Sequence, residues 1–299
     1  MIMNFTLCLT RRFICAYFVL VVSCSNFVYA NFSIVNHEAV ENSQIIEKPM
    51  VIIIPSYNNE QWVEKNLKSV IAQDYSNYRI IYVNDKSDDQ TLNKMYQTLL
   101  ESQGPIDFRV INNTHRKGAL ANLYNAIHSC KDHEIVLTLD GDDWLANDQV
   151  LKKLNEVYSG TKPIWLTYGS FLYFPAGYVA DLIAIPEEVI KNNAFRRFRH
   201  VQSHLRTFYA GLFKKIKIED LLCNGEFFTM TWDWAMMFPM IEMAGERHFF
   251  ITDVLYVYNR LNPINDDKVN QRLQDDLASY IREMPPYQRL PDGDIKTGN

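Results

Sequence analysis

Four apolar runs, Met50 to Ile54, Arg79 to Val83, Phe108 to Ile111 and Ile135 to Leu139, recur at intervals of about 30 residues, and this spacing constrains the fold more than any other feature of the chain. The first three are each followed by helical periodicity. It is carried by Val63, Leu67, Val70 and Ile71, then by Leu92, Met95, Tyr96, Leu99 and Leu100, then by Ala119, Leu120, Leu123, Tyr124 and Ile127 behind Gly118. Asn58 with Gln61, and Ser87 with Gln90, have the spacing of capping boxes ahead of the first two helices. Strands and helices that alternate in this way are joined by right-handed crossovers into a mostly parallel sheet. The expected fold class is α/β: a Rossmann-like, mostly parallel central sheet with helices on both faces. One more helix (Val150, Leu151, Leu154, Val157, Tyr158) and one more strand (Ile164 to Tyr168) continue the pattern. Beyond Ser170 it fades. Phe208 to Ile216 reads as a short helix, Val254 to Tyr258 as a short strand, and 284–299, rich in proline and polar residues, as a flexible tail.

Ligands of open α/β sheets sit beyond the carboxyl ends of the strands. Here those ends carry Ser56 and Tyr57, Asn84 and Asp85, and the sequence Asp140-Gly141-Asp142-Asp143. Three carboxylates within four residues repel one another unless a cation or a positive ligand neutralises them, and a hard divalent ion with phosphate oxygens does so. A solvated acidic turn has the same sequence, so convergence with the other strand ends is what would make it a site. Asp85 follows its strand directly, and with Ser87 serving as the cap it is left to accept hydrogen bonds from a ligand. His204 reads first as a structural histidine, with reach to a phosphate group or an acceptor as the sharper reading. The cluster Arg196, Arg197 and Arg199 reads first as a solvated helix face, with contact to phosphate or an anionic acceptor as the sharper reading.

With 47% apolar residues among 299, the chain can bury one large core. A net charge of -5 argues against nucleic acid as a partner, since such proteins carry an excess of Lys and Arg. The first thirty residues have the pattern of a targeting segment: Arg11 and Arg12, an apolar run from Phe13 to Val22, and Val28-Tyr29-Ala30 as a cleavage site. A lipoprotein signal at Val21-Val22-Ser23-Cys24 and a short membrane anchor from Phe13 to Ala30 are the competing readings. All three make the chain exported or membrane-anchored, with 31–48 as a linker. Outside the leader only Cys130 and Cys223 remain, enough for one disulfide or for two core thiols.

Four blocks in this chain, V-I-I-I-P-S-Y-N-N-E, I-Y-V-N-D-K-S-D-D, R-K-G-A-L-A-N-L-Y-N-A-I and L-T-L-D-G-D-D-W-L, together resemble the family-2 glycosyltransferases of the GT-A fold. They cover roughly Met50 to Leu145 in the family's order and spacing. The resemblance implies transfer of a sugar from a nucleotide-diphosphate sugar, above all a UDP-sugar, to a carbohydrate, lipid or protein hydroxyl, with Mn2+ or Mg2+ as cofactor. By position, Ser56 and Tyr57 would line the nucleoside pocket and Asp85 would contact the base. Asp142 and Asp143, with Asp140 beside them, would bind the metal and the diphosphate. Where many members carry Ala-Arg-Asn, this chain has Asn122, Leu123 and Tyr124, which leaves Arg116 or Lys117 to supply positive charge. On this reading 49–169 is the nucleotide-sugar-binding half and 170–283 the acceptor and catalytic half of one domain.

A hydroxyl acceptor also needs a base. The family places an Asp at the start of a helix well after the metal motif, and Asp233 in Thr231-Trp232-Asp233-Trp234 fits, although without the Glu that often precedes it. The local alternative for Asp233 is a helix N-cap. Trp232 and Trp234 read as an acceptor platform or as core, and Arg260 as a cation that folds over the diphosphate. One base acting by direct displacement implies inversion at the anomeric carbon. A catalytically silent sugar- or nucleotide-binding module on the same fold is the alternative. A metal-dependent phosphatase or phosphotransferase ranks last, because its nucleophilic Asp normally follows the first strand, where this chain has Pro55-Ser56-Tyr57.

Overall fold

The first apolar run forms β1 (Met50–Ser56), buried along its whole length because it has a hydrogen-bonded neighbour on each edge and helices packed against the sheet. After it come α1 (Val63–Ile71), β2 (Tyr78–Asn84), α2 (Thr91–Glu101), β3 (Phe108–Asn112), α3 (Ala119–His128) and β4 (Ile135–Thr138), the alternation expected. The chain continues through β5 (Trp144–Leu145), α4 (Val150–Tyr158), β6 (Leu166–Phe174), α5 (Glu187–Lys191), β7 (Arg206–Tyr209) and α6 (Ala210–Phe213). A small ribbon of β8 (Leu222–Cys223) and β9 (Glu226–Phe227) leads to α7 (Trp232–Ala244), β10 (His248–Asn259), α8 (Asp266–Val269) and α9 (Gln271–Glu283). The computed structural model describes residues 46–102, 106–199 and 202–298. The leader signals expected within 1–30 and most of the 31–48 linker lie outside them. No helix among the described residues is long and apolar enough to cross a membrane.

Among the described residues, eight strands form one sheet in the order β3-β2-β1-β4-β7-β6-β10-β5. β3, β2, β1 and β4 run parallel, β7 is antiparallel to both β4 and β6, β10 is parallel to β6, and β5 is antiparallel to β10. Register sets the strand ends level: Ser56 lies opposite Asn84, and Asn84 opposite Asn112. Past the end of β4, the N–H groups of Leu139 and Gly141 still bond to Ile53 and Pro55 of β1. The acidic turn is thereby laid against the loop that follows β1.

The two capping boxes do not form. Neither Trp62 at the start of α1 nor Gln90 at the start of α2 makes a side-chain cap. The polar residues of the two loops bond across to each other instead. Asn58 N–H donates to Ser87 Oγ at 3.0 Å, Asp88 N–H to Asn58 Oδ1 at 2.9 Å, Asn59 N–H to Thr91 Oγ1 at 2.7 Å, and Gln90 N–H to Glu60 at 2.9 Å. Asn58 takes a left-handed φ of 51° in this arrangement. These bonds hold the ends of β1 and β2 at one edge of the sheet.

Phe208, expected in a helix, belongs to β7. The slot between β4 and β6 requires a strand, and the helix that follows is only Ala210–Phe213. Threonine hydroxyls stitch this strand in: Thr207 is 2.6 Å from Thr167 and 2.8 Å from the Tyr158 hydroxyl. At the far end of β7, Arg206 lies opposite Thr138, two residues before Asp140.

Apolar on all sides, α7 is buried over nearly its whole length. Its one buried acid, Glu242, is 0% exposed and receives Arg196 as a two-pronged partner at 2.6 and 3.0 Å. Arg196 also donates to the carbonyl of Ile281 in α9 at 2.6 Å. Of the basic cluster, Arg196 therefore serves the interior, while Arg197 and Arg199 are exposed. The segment from Met284, expected as a flexible tail, forms no helix or strand but makes contacts along its course. Tyr287 N–H donates to Glu242, Leu290 N–H to Met243, and Ile295 is buried. Cys130 and Cys223 are free thiols. Removing one partner of a buried ion pair leaves an uncompensated charge, so Arg196→Ala should lower stability by about 3–5 kcal/mol in urea denaturation. A change below about 1 kcal/mol would show that the pair does not fasten α7.

Candidate active site

The acidic turn keeps its shape because bonds from three other elements meet it. The side-chain amide of Asn66 in α1 donates to the carbonyls of Asp140 at 2.9 Å and Asp143 at 2.8 Å. Gly141 sits so close to the end of β1 that a Cβ there would lie 2.6 Å from both Ser56 Oγ and Asn59 Nδ2. From the other side, β10 and the loop beyond it hold Asp142 and Asp143. Asp143 is 0% exposed and accepts from the Tyr256 hydroxyl at 2.5 Å and from Asn259 N–H at 2.7 Å. Asp142 accepts from Asn262 Nδ2 at 2.7 Å, while Asn259 Nδ2 donates to its carbonyl at 3.1 Å.

Burial pushes the Asp143 carboxyl well above its ordinary range, with Asp142 and Asp140 adding to the effect against the hydrogen bonds from Tyr256 and Asn259. Asp142 is raised as well, by burial, which the bond from Asn262 only partly offsets. The turn is thus short of positive charge, as its sequence implied. Asp140 and Asp142 line a cleft of about 420 Å³, whereas Asp143 is turned inward. Asp140, Asp143 and His204 can each offer one ligand atom, all within 4.8 Å of one another. Ligands about 2.1 Å from a small divalent ion stand at most about 4.2 Å apart, so oxygen and imidazole donors at this spacing fit such an ion after slight closure. Asp142 lies outside that trio. The His204 ring is stacked on Tyr256 at 4.3 Å, which fixes its plane.

The other predicted residues divide between the cleft and its support. Tyr57 lines the cleft with Arg116, whose guanidinium lies 3.9 Å above the Tyr57 ring. Ser56 is buried and accepts from Asn59 Nδ2 at 3.1 Å instead of facing the cleft. Asp85 is 3% exposed and accepts from Lys117 N–H at 2.9 Å, Gly118 N–H at 2.8 Å and Asn113 Nδ2 at 2.8 Å. Burial works against its ionised form. The Lys117 N–H, the amides of Asn122 and Asn113 and the Gly118 N–H outweigh that, and the carboxyl stays below its ordinary range. These donors fill most of the four or so lone-pair positions on the carboxylate, and Asp85 is not among the residues that line the cleft. Lys117 contributes its backbone to this arrangement, while Arg116 brings the side-chain charge to the cleft.

Asp233 reaches the same cleft from α7. It is no N-cap: Thr231 holds that position, in a left-handed conformation and without a side-chain cap bond. The Asp233 carboxylate instead accepts from Arg206 Nη1 at 3.1 Å, and Arg206 Nη2 lies 3.7 Å from Asp140. Trp232 is nearly buried in the cleft wall beneath Arg206, whereas Trp234 packs against Phe238 and Arg282, away from the cleft. Arg260 lines the mouth. Sequence reasoning missed Arg206, Tyr256, Asn259 and Asn262. A Tyr or Asn in a strand or loop carries no local mark of its partner, though the uncompensated charge of the turn did imply that donors must arrive from elsewhere.

The sequence profile of glycosyl transferase family 2 matches residues 51–219, more than half of the chain. The chain belongs to this family. Among curated relatives, the glycosyltransferase GlyA of Streptococcus pneumoniae is 24% identical over 229 residues, covering 72% of this chain and 31% of its own length. The GalNAc(5)-diNAcBac-PP-undecaprenol beta-1,3-glucosyltransferase of Campylobacter jejuni is 24% identical over 210 residues, covering 69% of this chain and 63% of its own. The chain therefore spans about a third to two thirds of the length of these relatives. Among solved structures, glucosyl-3-phosphoglycerate synthase from Mycobacterium tuberculosis, in complex with Mn2+, UDP and phosphoglyceric acid, superposes with a TM-score of 0.54 at 14% identity. That match covers 83% of this chain and 85% of the other, and it shows the shared GT-A fold.

Two outcomes follow from this geometry. Gly141→Ala should push the acidic turn off β1 and reduce transfer at least about tenfold while the far-ultraviolet circular dichroism stays native, and unchanged kinetics would show that the turn tolerates the shift. The raised carboxyls of Asp142 and Asp143 hold protons in the folded chain to higher pH than in the unfolded one. Their contribution is complete below the ordinary carboxylate range and is lost as pH rises through their folded values. Metal-free protein should therefore lose more thermal stability between about pH 5 and pH 7.5 than Asp143→Asn does, and Mn2+ should restore more at the higher pH. Parallel curves for the two proteins would contradict this.

Proposed function

We propose that this chain transfers a sugar from a nucleotide-diphosphate sugar, a UDP-sugar in particular, to a hydroxyl acceptor, with a divalent cation and with inversion. The observation that carries the reading is the meeting of Asp233 with the acidic turn in one cleft, although 90 residues of sequence separate Asp143 from Asp233. Tyr57 and Arg116 form a stacked wall suited to a nucleoside, and Asp85, held by the backbone N–H of Lys117 next to Arg116, is the candidate partner for a base N–H. Family membership supports the reaction class. The UDP and Mn2+ in the solved mycobacterial relative, and the undecaprenol-linked acceptor in the name of the Campylobacter protein, support the choice of donor, ion and glycan or lipid-linked acceptor.

Asp140, Asp143 and His204 would hold the ion, Mn2+ or Mg2+, with Asp142 beside it on the cleft wall; bound there, it would neutralise charge on the departing nucleoside diphosphate. The protein's own groups supply the rest. Asp233 takes the proton of the acceptor hydroxyl as that oxygen closes on the anomeric carbon, and a single base acting from the side opposite the leaving group inverts the centre. Arg116 and Arg260 offset diphosphate charge at the mouth. The Arg11-Arg12 leader supports export or anchoring of the enzyme.

A screen of UDP- and GDP-sugars with Mn2+ tests the class, followed by transfer assays on variants shown to be folded. Asp233→Asn should lower kcat by about 10²–10⁴-fold with donor affinity nearly intact. Asp142→Ala should weaken binding of UDP with Mn2+ and transfer together. Full transfer by both variants would exclude the assignment, and UDP binding without turnover across the donor panel would favour a silent binding module.

A further inference from the structure

Arg206 is 2% exposed, yet its guanidinium reaches the cleft between two carboxylates that belong to different parts of the chain. The pairing of β7 with β4 fixes its height, since Arg206 lies opposite Thr138 at the end of that strand. Nη1 donates to Asp233 Oδ2 at 3.1 Å, Nη2 lies 3.7 Å from Asp140 Oδ2, and the Trp232 ring sits 5.3 Å below. Nε is buried and meets no hydrogen-bond partner among the described residues. A guanidinium this deeply buried is stable only while its charge is compensated, so the site holds it in place through both acids.

Resting on the assignment of Asp233 as base, we propose that Arg206 is a positioning residue that aims the Asp233 carboxylate at the acceptor and ties it to the acidic turn. The contact is end-on. Only Oδ2 of Asp233 is engaged, and Oδ1 accepts no hydrogen bond among the described residues, which leaves it for the acceptor proton. A two-pronged pair would occupy both oxygens and suppress the basicity of the group. Sharing one guanidinium between Asp140 and Asp233 keeps either carboxylate from being fully neutralised. It also prevents Asp233, in the first turn of α7, from folding back onto the helix N–H groups. Asp233 is thus held away from the local role that its sequence position favours.

The test is a mutant cycle on the full chain, with Arg206→Met, Arg206→Lys, Asp233→Asn and the double variant Arg206→Met with Asp233→Asn. Steady-state transfer is measured for donor and acceptor, and UDP binding with Mn2+ by calorimetry. Arg206→Met should lower kcat by about 100-fold while donor KM and UDP affinity move less than about threefold. Arg206→Lys should recover part of that loss, and the double variant should be no slower than Asp233→Asn alone. An unchanged kcat in Arg206→Met, a loss confined to donor KM, or losses that multiply in the double variant would overturn the proposal. Should Arg206→Met not fold, the same comparison is made with Arg206→Lys in the presence and absence of Asp233→Asn. Loss in Asp233→Asn without loss in either Arg206 variant sinks the positioning role alone, whereas a fully active Asp233→Asn removes the base assignment and this role with it.

Discussion

Three carboxylates in four residues cannot be brought together at the end of a buried strand without compensation, and much of the structure beyond β4 supplies it. Tyr256 and Asn259 come from β10, Asn262 from the loop after it and Arg206 from β7. An unpaired carboxylate in this environment would cost several kcal/mol in desolvation, more than any single bond here returns, so only the assembled set makes the turn tenable. The sheet order follows the same requirement. β7 runs beside β4 and delivers Arg206 at the level of its last residue, while β10, paired with β5, brings Tyr256 and Asn259 to the turn. A fold that ended at β4 would expose the acids without holding them.

The first half of the fold was legible in the sequence because it is written in periodicity. Each strand from β1 to β4 is a local apolar run and each helix between them a local stripe, and the structure places them where the pattern does. What local reasoning got wrong there was the polar punctuation. Asn58, Ser87 and Gln90 have the spacing of capping boxes, but the level register of β1 and β2 brings the two loops side by side, and bonds between loops displace bonds within them. Ser and Asn serve either purpose equally well, so spacing alone does not decide between them.

Beyond Ser170 the signal weakens for a physical reason. β7 is four residues long and buried on both faces, so Phe208 shows no alternation to separate it from a helix, and α7 is apolar all round and has no stripe. The roles within the acidic turn were unreadable for a related reason. Asp140, Asp142 and Asp143 are chemically identical, and only the arrival of β10 decides that Asp143 turns inward while Asp140 and Asp142 face the cleft. Asp85 is the opposite case. Its place after β2 marked it as a candidate, but did not reveal that the backbone of Lys117 and Gly118 would occupy much of its carboxylate.

Arg206 shows how one charge can serve folding and chemistry together. As a structural group it offsets the acids at the end of β4; as part of the site it links the first half of the chain, through Asp140, to the helix that carries Asp233. α7 is in turn fastened from behind by the Arg196–Glu242 pair and by the hydroxyl of Thr231, which donates to the Gln274 carbonyl of α9 at 3.1 Å. A base in the role proposed for Asp233 must stand within about 0.5 Å of its working position, and a helix N-terminus fastened from more than one side suits that demand. On that proposed role, the C-terminal helix and the segment after it, remote from the acidic turn in sequence, bear on the chemistry through their contacts with α7.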